Sequence, residues 1–138
     1  MIQRIKTSNQ TSINLDKIQN RLHLSSKAAI LRIALAISLN NVTELDIFEK
    51  YQTDEGFDIS LATLFGEYEL LFRTLIRNSY HSEMDERTYI KLIQAHIERG
   101  MVKLYGEFAT NNDIKKLLES IVEVALLFIW IITLQLKY

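Results

Sequence analysis

The chain has 138 residues, 16 Lys plus Arg against 17 Asp plus Glu, and neither cysteine nor proline. That length suits one domain of the usual ~100–200 residues, and 48% hydrophobic with 24% charged residues excludes general disorder. Without cysteine there is no disulfide scaffold, zinc-thiolate site or cysteine nucleophile. The absence of proline, with only four glycines, favours helices joined by short connections.

Residues 2–8 read as a short extended segment, with Ile5 on one side and Arg4 and Lys6 on the other. The polar stretch 8–12 offers N-caps for a first helix over about 12–22, whose apolar stripe is Leu15, Ile18 and Leu22. Lys17 and Arg21, one turn apart, form a small basic ridge on another face. A short turn, His23-Leu24-Ser25-Ser26-Lys27, leads to a second helix over about 26–39. It is apolar almost all round apart from Arg32 and Ser38, so most of its sides must be covered. Residues 40–62 read as a loop with a short helical turn. Tyr68, Leu71, Phe72, Leu75 and Ile76 mark a third helix, and a polar loop over 79–87 follows. Ile90, Ile93, Ile97, Met101 and Leu104 mark a fourth, with Gly100 inside it as a point of close packing. A fifth helix capped within 111–113 would start amphipathic and turn apolar over 121–136. Three readings of that tail stand: burial in an oligomer or partner groove, a short membrane anchor, or no function. Glu119 and Glu123 tell against a full span. The class expected is mainly α, a short N-terminal strand followed by about five helices.

Charge is uneven along the chain. Residues 1–41 sum to +5, 42–72 to −7, 73–106 to +2 and 107–138 to −1. A basic N-terminal part suits a polyanion, and the acidic stretch suits water or a basic partner protein. Lys6, Lys17, Arg21 and Lys27 supply cations. The start of the second helix, at Ser25, Ser26 and Lys27, offers free N–H groups and the positive end of the helix dipole to a phosphate. The same charges also suit an ordinary solvated surface. Phosphate contacts position a protein without reading sequence, so backbone-directed binding is expected. Arg32, in an apolar helix, needs a partner such as Glu67 or Glu69, or a channel between subunits.

Strand, helix, serine-containing turn and apolar helix within 40 residues resemble a ribbon-helix-helix unit. The run Ile5-Lys6-Thr7-Ser8, then Leu15 to Leu24, then Ser25-Ser26 before Ile30-Leu31-Arg32-Ile33-Ala34-Leu35, is similar to the DNA sulfur modification protein DndE family. Two further blocks agree, Thr63-Leu64-Phe65-Gly66-Glu67-Tyr68 and His96-Ile97-Glu98-Arg99-Gly100-Met101. One departure is the turn, where the family commonly has glycine and proline and this chain has His23-Leu24-Ser25-Ser26. The resemblance divides the chain into a DndE-like domain over 1–106 and an apolar extension over 107–138. It implies a non-enzymatic component of the bacterial system that replaces a non-bridging phosphate oxygen of DNA with sulfur. It further implies an oligomer, a tetramer in known members, that binds DNA with a preference for nicked duplex beside the other proteins of the complex. Gly66, Glu67 and Arg32 are then expected in structural or inter-subunit roles.

Little in the residues points to catalysis. His23, His81 and His96 share no ligand spacing, Glu98-Arg99 looks like a helix-surface pair, and there is no nucleophile elbow or phosphate-binding glycine loop. No catalytic residue, metal or cofactor is expected, and the polar start of the chain suggests a cytoplasmic address. Two other readings remain: a protein-interaction subunit of the complex that never touches DNA, and a ribbon-helix-helix transcription regulator.

Overall fold

The computed structural model describes residues 3–41, 55–80, 84–110 and 119. Its first element, β1 (Arg4–Lys6), buries Ile5 and exposes the two flanking cations, as the alternation requires. Ser8 then caps α1 (Asn9–Leu22) by accepting from the Thr11 N–H, and Leu15 and Ile18 are buried from that helix. At the far end His23 takes the left-handed conformation (φ 53°), and its N–H donates to the Gln19 carbonyl. A histidine thus holds the C-terminal position that glycine usually fills.

Ser26 caps α2 (Lys27–Leu39), again through its own hydroxyl, which accepts from the Ala29 N–H. Ile30, Leu31, Ala34 and Leu35 of α2 are fully buried. Their cover is α5 (Glu86–Thr110), which crosses α2 where Gly100 meets Ala34. A Cβ on Gly100 would overlap the Ala34 carbonyl, so the close packing expected of this glycine is present.

The segment expected to be a loop over 40–62 contains β2 (Asp58–Ser60), antiparallel to β1 with Ile5 opposite Ile59. Two flanking bonds, Thr7 N–H to the Phe57 carbonyl and Leu61 N–H to the Gln3 carbonyl, extend the ribbon. Its two isoleucines add to the core, which is what three-residue strands need to persist. Ser60 caps the short α3 (Leu61–Phe65), and a 3-10 turn over Gly66–Tyr68 joins it to α4 (Glu69–Tyr80). Gly66 has φ 52° and ψ −126°, a backbone conformation open in practice to glycine alone. Phe65 and Phe72 stack across this corner with ring centroids 5.1 Å apart. Asp85 accepts from the Thr88 N–H at the start of α5.

The class is therefore mainly α, with five helices and one two-stranded ribbon among the described residues. The acidic stretch 42–54, His81 and the expected helix after residue 111, apart from the helical Glu119, lie outside the described residues. Among those described, no single helix is long and apolar enough to cross a membrane.

Candidate nucleic-acid interface

α1 presents the basic ridge. Its buried side carries Thr11, Asn14, Leu15 and Ile18, which leaves Ile13, Lys17 and Arg21 on an exposed stripe four residues apart. The helix is fixed at its N-terminus by Glu98 of α5. One carboxylate oxygen accepts from the Ser8 N–H at 2.7 Å, and the other from Ser8 Oγ at 2.8 Å and Thr11 Oγ1 at 2.6 Å. Glu98 is buried, so the surface pair with Arg99 read from the sequence is corrected. Its charge sits where the α1 dipole favours an anion, and charge-assisted bonds satisfy both oxygens.

Further along, the same two helices meet through cations and rings. Lys17 Nζ lies 5.9 Å from the centroid of Tyr105, and the Arg21 guanidinium lies 5.0 Å from that of Phe108. At partly exposed sites such contacts are worth about 0.5–1 kcal/mol each. They hold two flexible side chains of α1 by their charged ends against the rings of α5. Tyr105 and Phe108 went unremarked in the sequence, although their i, i+3 spacing continues the α5 stripe.

The other expected contacts are placed differently. Lys27 Nζ is 2.9 Å from Asp16 Oδ1 and 5.0 Å from the Phe57 ring centroid, so its charge is already paired. The Ser26 hydroxyl serves its own helix, and Ser25 is exposed in the turn. Lys6 stands on the outer face of the ribbon opposite Asp58, which also pairs with Arg4 at 3.0 Å. The structure thus keeps Lys17 and Arg21 on one exposed stripe of α1 and pairs Lys27 with Asp16 of the same helix. Lys6 is separate, on the ribbon.

Arg32 departs from its expected acidic partner. Its guanidinium donates to the Leu64 carbonyl at 2.6 Å and lies 5.4 Å from the Tyr68 ring centroid. Glu67 is exposed, and Glu69 lies 3.7 Å from Arg73. A backbone oxygen at the C-terminal end of α3 needs a donor, and Arg32 supplies one.

A second polar group lies inside. His96 Nδ1 is 2.8 Å from Ser38 Oγ, and Nε2 is 2.6 Å from the Tyr80 hydroxyl. Arg99 donates to Ser38 Oγ at 2.8 Å and to the Ser38 carbonyl at 2.7 Å. Burial, and secondarily the positive charge of Arg99, push the imidazole pKa down to about 3, so the ring is neutral near pH 7. Ser38 is 1% exposed and His96 2%, so the serine–histidine pair is closed off from solvent by the described residues. It ties the end of α2 to α4 and α5. Among the described residues no three His, Asp or Glu side chains gather as a metal site.

The chain matches the family model described as DNA sulphur modification protein DndE over residues 4–112. Among solved structures it is similar to the crystal structure of DndE from Escherichia coli B7A, involved in DNA phosphorothioation modification. That likeness has 21% identity and a TM-score of 0.64, covering 75% of this chain and 98% of the other, and it establishes the fold. No curated protein sequence matches.

Proposed function

The chain belongs to the DndE family of DNA sulphur modification proteins, and we propose that it serves the phosphorothioation system as a non-enzymatic, oligomeric protein that binds the DNA backbone. The binding unit of residues 1–106 would be completed by the end of α5, which carries Phe108, with the rest of 107–138 as an extension, and it would work in the cytoplasm with the other proteins of the complex.

The observation that carries this reading is the exposed Lys17–Arg21 ridge, held against Tyr105 and Phe108. Two cations per chain are few, and an oligomer such as a tetramer would multiply them into a surface matched to repeated phosphates. Lys27 and Lys6 would join by exchanging their carboxylate neighbours for phosphate, and Ser25 and Ser26 would add polar groups at the turn. A nick would be favoured through the bending it permits, since no described residue set argues for base readout.

The regulator reading loses support from the ribbon. Such proteins pair one strand across a dimer, whereas β1 here pairs with β2 of its own chain. Anisotropy titrations of intact and nicked labelled duplex at several salt concentrations test the proposal. The logarithm of the affinity is expected to fall with the logarithm of salt by about 0.9 per phosphate contact, and Lys17→Glu with Arg21→Glu to reduce that slope. No binding to either duplex at low salt would overturn it in favour of the protein-interaction subunit.

A further inference from the structure

Among the first 41 residues six are Lys or Arg and one, Asp16, is acidic. The fold sets that single carboxylate against one of the six cations. Asp16 is exposed in the middle of α1, next in sequence to Lys17 of the ridge, and its Oδ1 lies 2.9 Å from Lys27 Nζ. Lys27 is the first residue of α2, where the helix dipole disfavours a cation, and the first turn of that helix holds no acidic residue. Asp16 supplies the missing negative charge from α1. Lys27 has a second hold that does not depend on Asp16, because its Nζ stands 5.0 Å from the ring centroid of Phe57. The ammonium is thus kept in place by a ring and neutralised by a carboxylate.

We infer that Asp16 limits the hold of this protein on a duplex by acting as a built-in substitute for phosphate at Lys27. This role rests on the DNA reading and gives it an affinity-setting residue. A cation that meets a phosphate strengthens binding through the counterions it releases from the duplex. Lys27 does so only by leaving Asp16. The vacated carboxylate then stands beside the phosphate, repels it and draws a cation back from solution. The pair as a whole brings no net charge to the duplex, so it adds little to affinity or to salt dependence. The side chains of Lys27 and Asp16 are 32% and 54% exposed, so the pair stands open to water and to an arriving phosphate. Without the carboxylate, Lys27 keeps its ring contact and its charge is left for the duplex.

A double-mutant cycle on the full chain tests this, with Asp16→Asn, Lys27→Gln and the two combined, titrated by anisotropy against one labelled duplex over a series of salt concentrations. Neither residue belongs to the buried core, and equal far-UV circular dichroism keeps the comparison among folded proteins. Asp16→Asn is expected to steepen the salt dependence by one phosphate contact, about 0.9 in the logarithmic slope. Its affinity advantage over the parent should then grow about eightfold for each tenfold drop in salt. Lys27→Gln alone should change the slope by much less, and in the combined variant the gain from Asp16→Asn should vanish. An unchanged slope for Asp16→Asn would overturn the inference. So would an equal gain with and without Lys27, because that is general relief of negative charge rather than release of one lysine. Either result leaves the DNA reading standing when the parent protein binds. No binding by any of the four proteins at low salt overturns that reading, and the role of Asp16 with it.

Discussion

Two tyrosines on neighbouring helices hold their hydroxyls in opposite circumstances, that of Tyr80 part-buried and that of Tyr89 buried. The Tyr80 hydroxyl meets His96 Nε2, whereas that of Tyr89 has no hydrogen-bond partner among the described residues, although Arg73 lies 4.4 Å from its ring centroid. An unsatisfied buried hydroxyl carries a desolvation cost that removal of the oxygen recovers. Tyr89→Phe is therefore expected to leave stability unchanged or raise it by up to about 1 kcal/mol, and Tyr80→Phe to lower it by about 1–2 kcal/mol. Urea unfolding with an unchanged m-value would check both, and a destabilised Tyr89→Phe would show that its oxygen has a partner in solution. The left-handed residue offers a complementary test. His23 bears the strain of its Cβ there, so His23→Gly should stabilise by about 1 kcal/mol, visible as a higher Tm.

At the scale of elements, the crossing of α2 and α5 is the tightest point described. Gly100→Ala forces its methyl group into the Ala34 backbone, and the helices must separate, because a carbonyl in a helix cannot move aside as a side chain can. The expected loss is about 3 kcal/mol, at the upper end for overpacking, measured by chemical unfolding; a loss below ~1 kcal/mol would show that the crossing relaxes freely. This contact was legible in the sequence because a glycine inside an apolar stripe has few other uses. The stripes themselves were equally legible: Leu15 and Ile18, Leu75 and Ile76, and Ile93, Ile97 and Met101 are all buried as their periodicity requires. The ribbon partner was not, because Asp58-Ile59-Ser60 holds one apolar residue and owes its strand to a segment 54 positions away. Glu98 misled for the same reason. Beside Arg99 it resembles a surface pair, and only the fold brings Ser8 and Thr11 to it. The candidate site divides likewise. Lys17 and Arg21 announce themselves by spacing, while their ring partners, and the Asp16 that pairs with Lys27, emerge only once the helices are packed.

Across the whole molecule, His96 gives stability a pH dependence of definite sign. Its network joins Ser38 at the end of α2, Tyr80 on α4 and Arg99 on α5, and burial there depresses the imidazole pKa from 6.5 to about 3. Above pH 6.5 neither the folded nor the unfolded ring is protonated, and the contribution of the network is fully present. As pH falls below 6.5 the unfolded chain gains a proton that the fold refuses, so stability declines by up to about 1.4 kcal/mol per pH unit until the folded ring also titrates near pH 3. Between pH 7 and 5.5, above the range where carboxylates dominate, this one group should cost about 1 kcal/mol. His96→Gln removes the titration while keeping an amide able to hydrogen-bond. The variant should be less stable at pH 7, because it cannot reach both partners in the same geometry, but it should lose about 1 kcal/mol less than the parent protein over that interval. Urea midpoints at the two pH values measure the difference. Equal losses would mean that the ring protonates freely in the fold and that the three helices open around it.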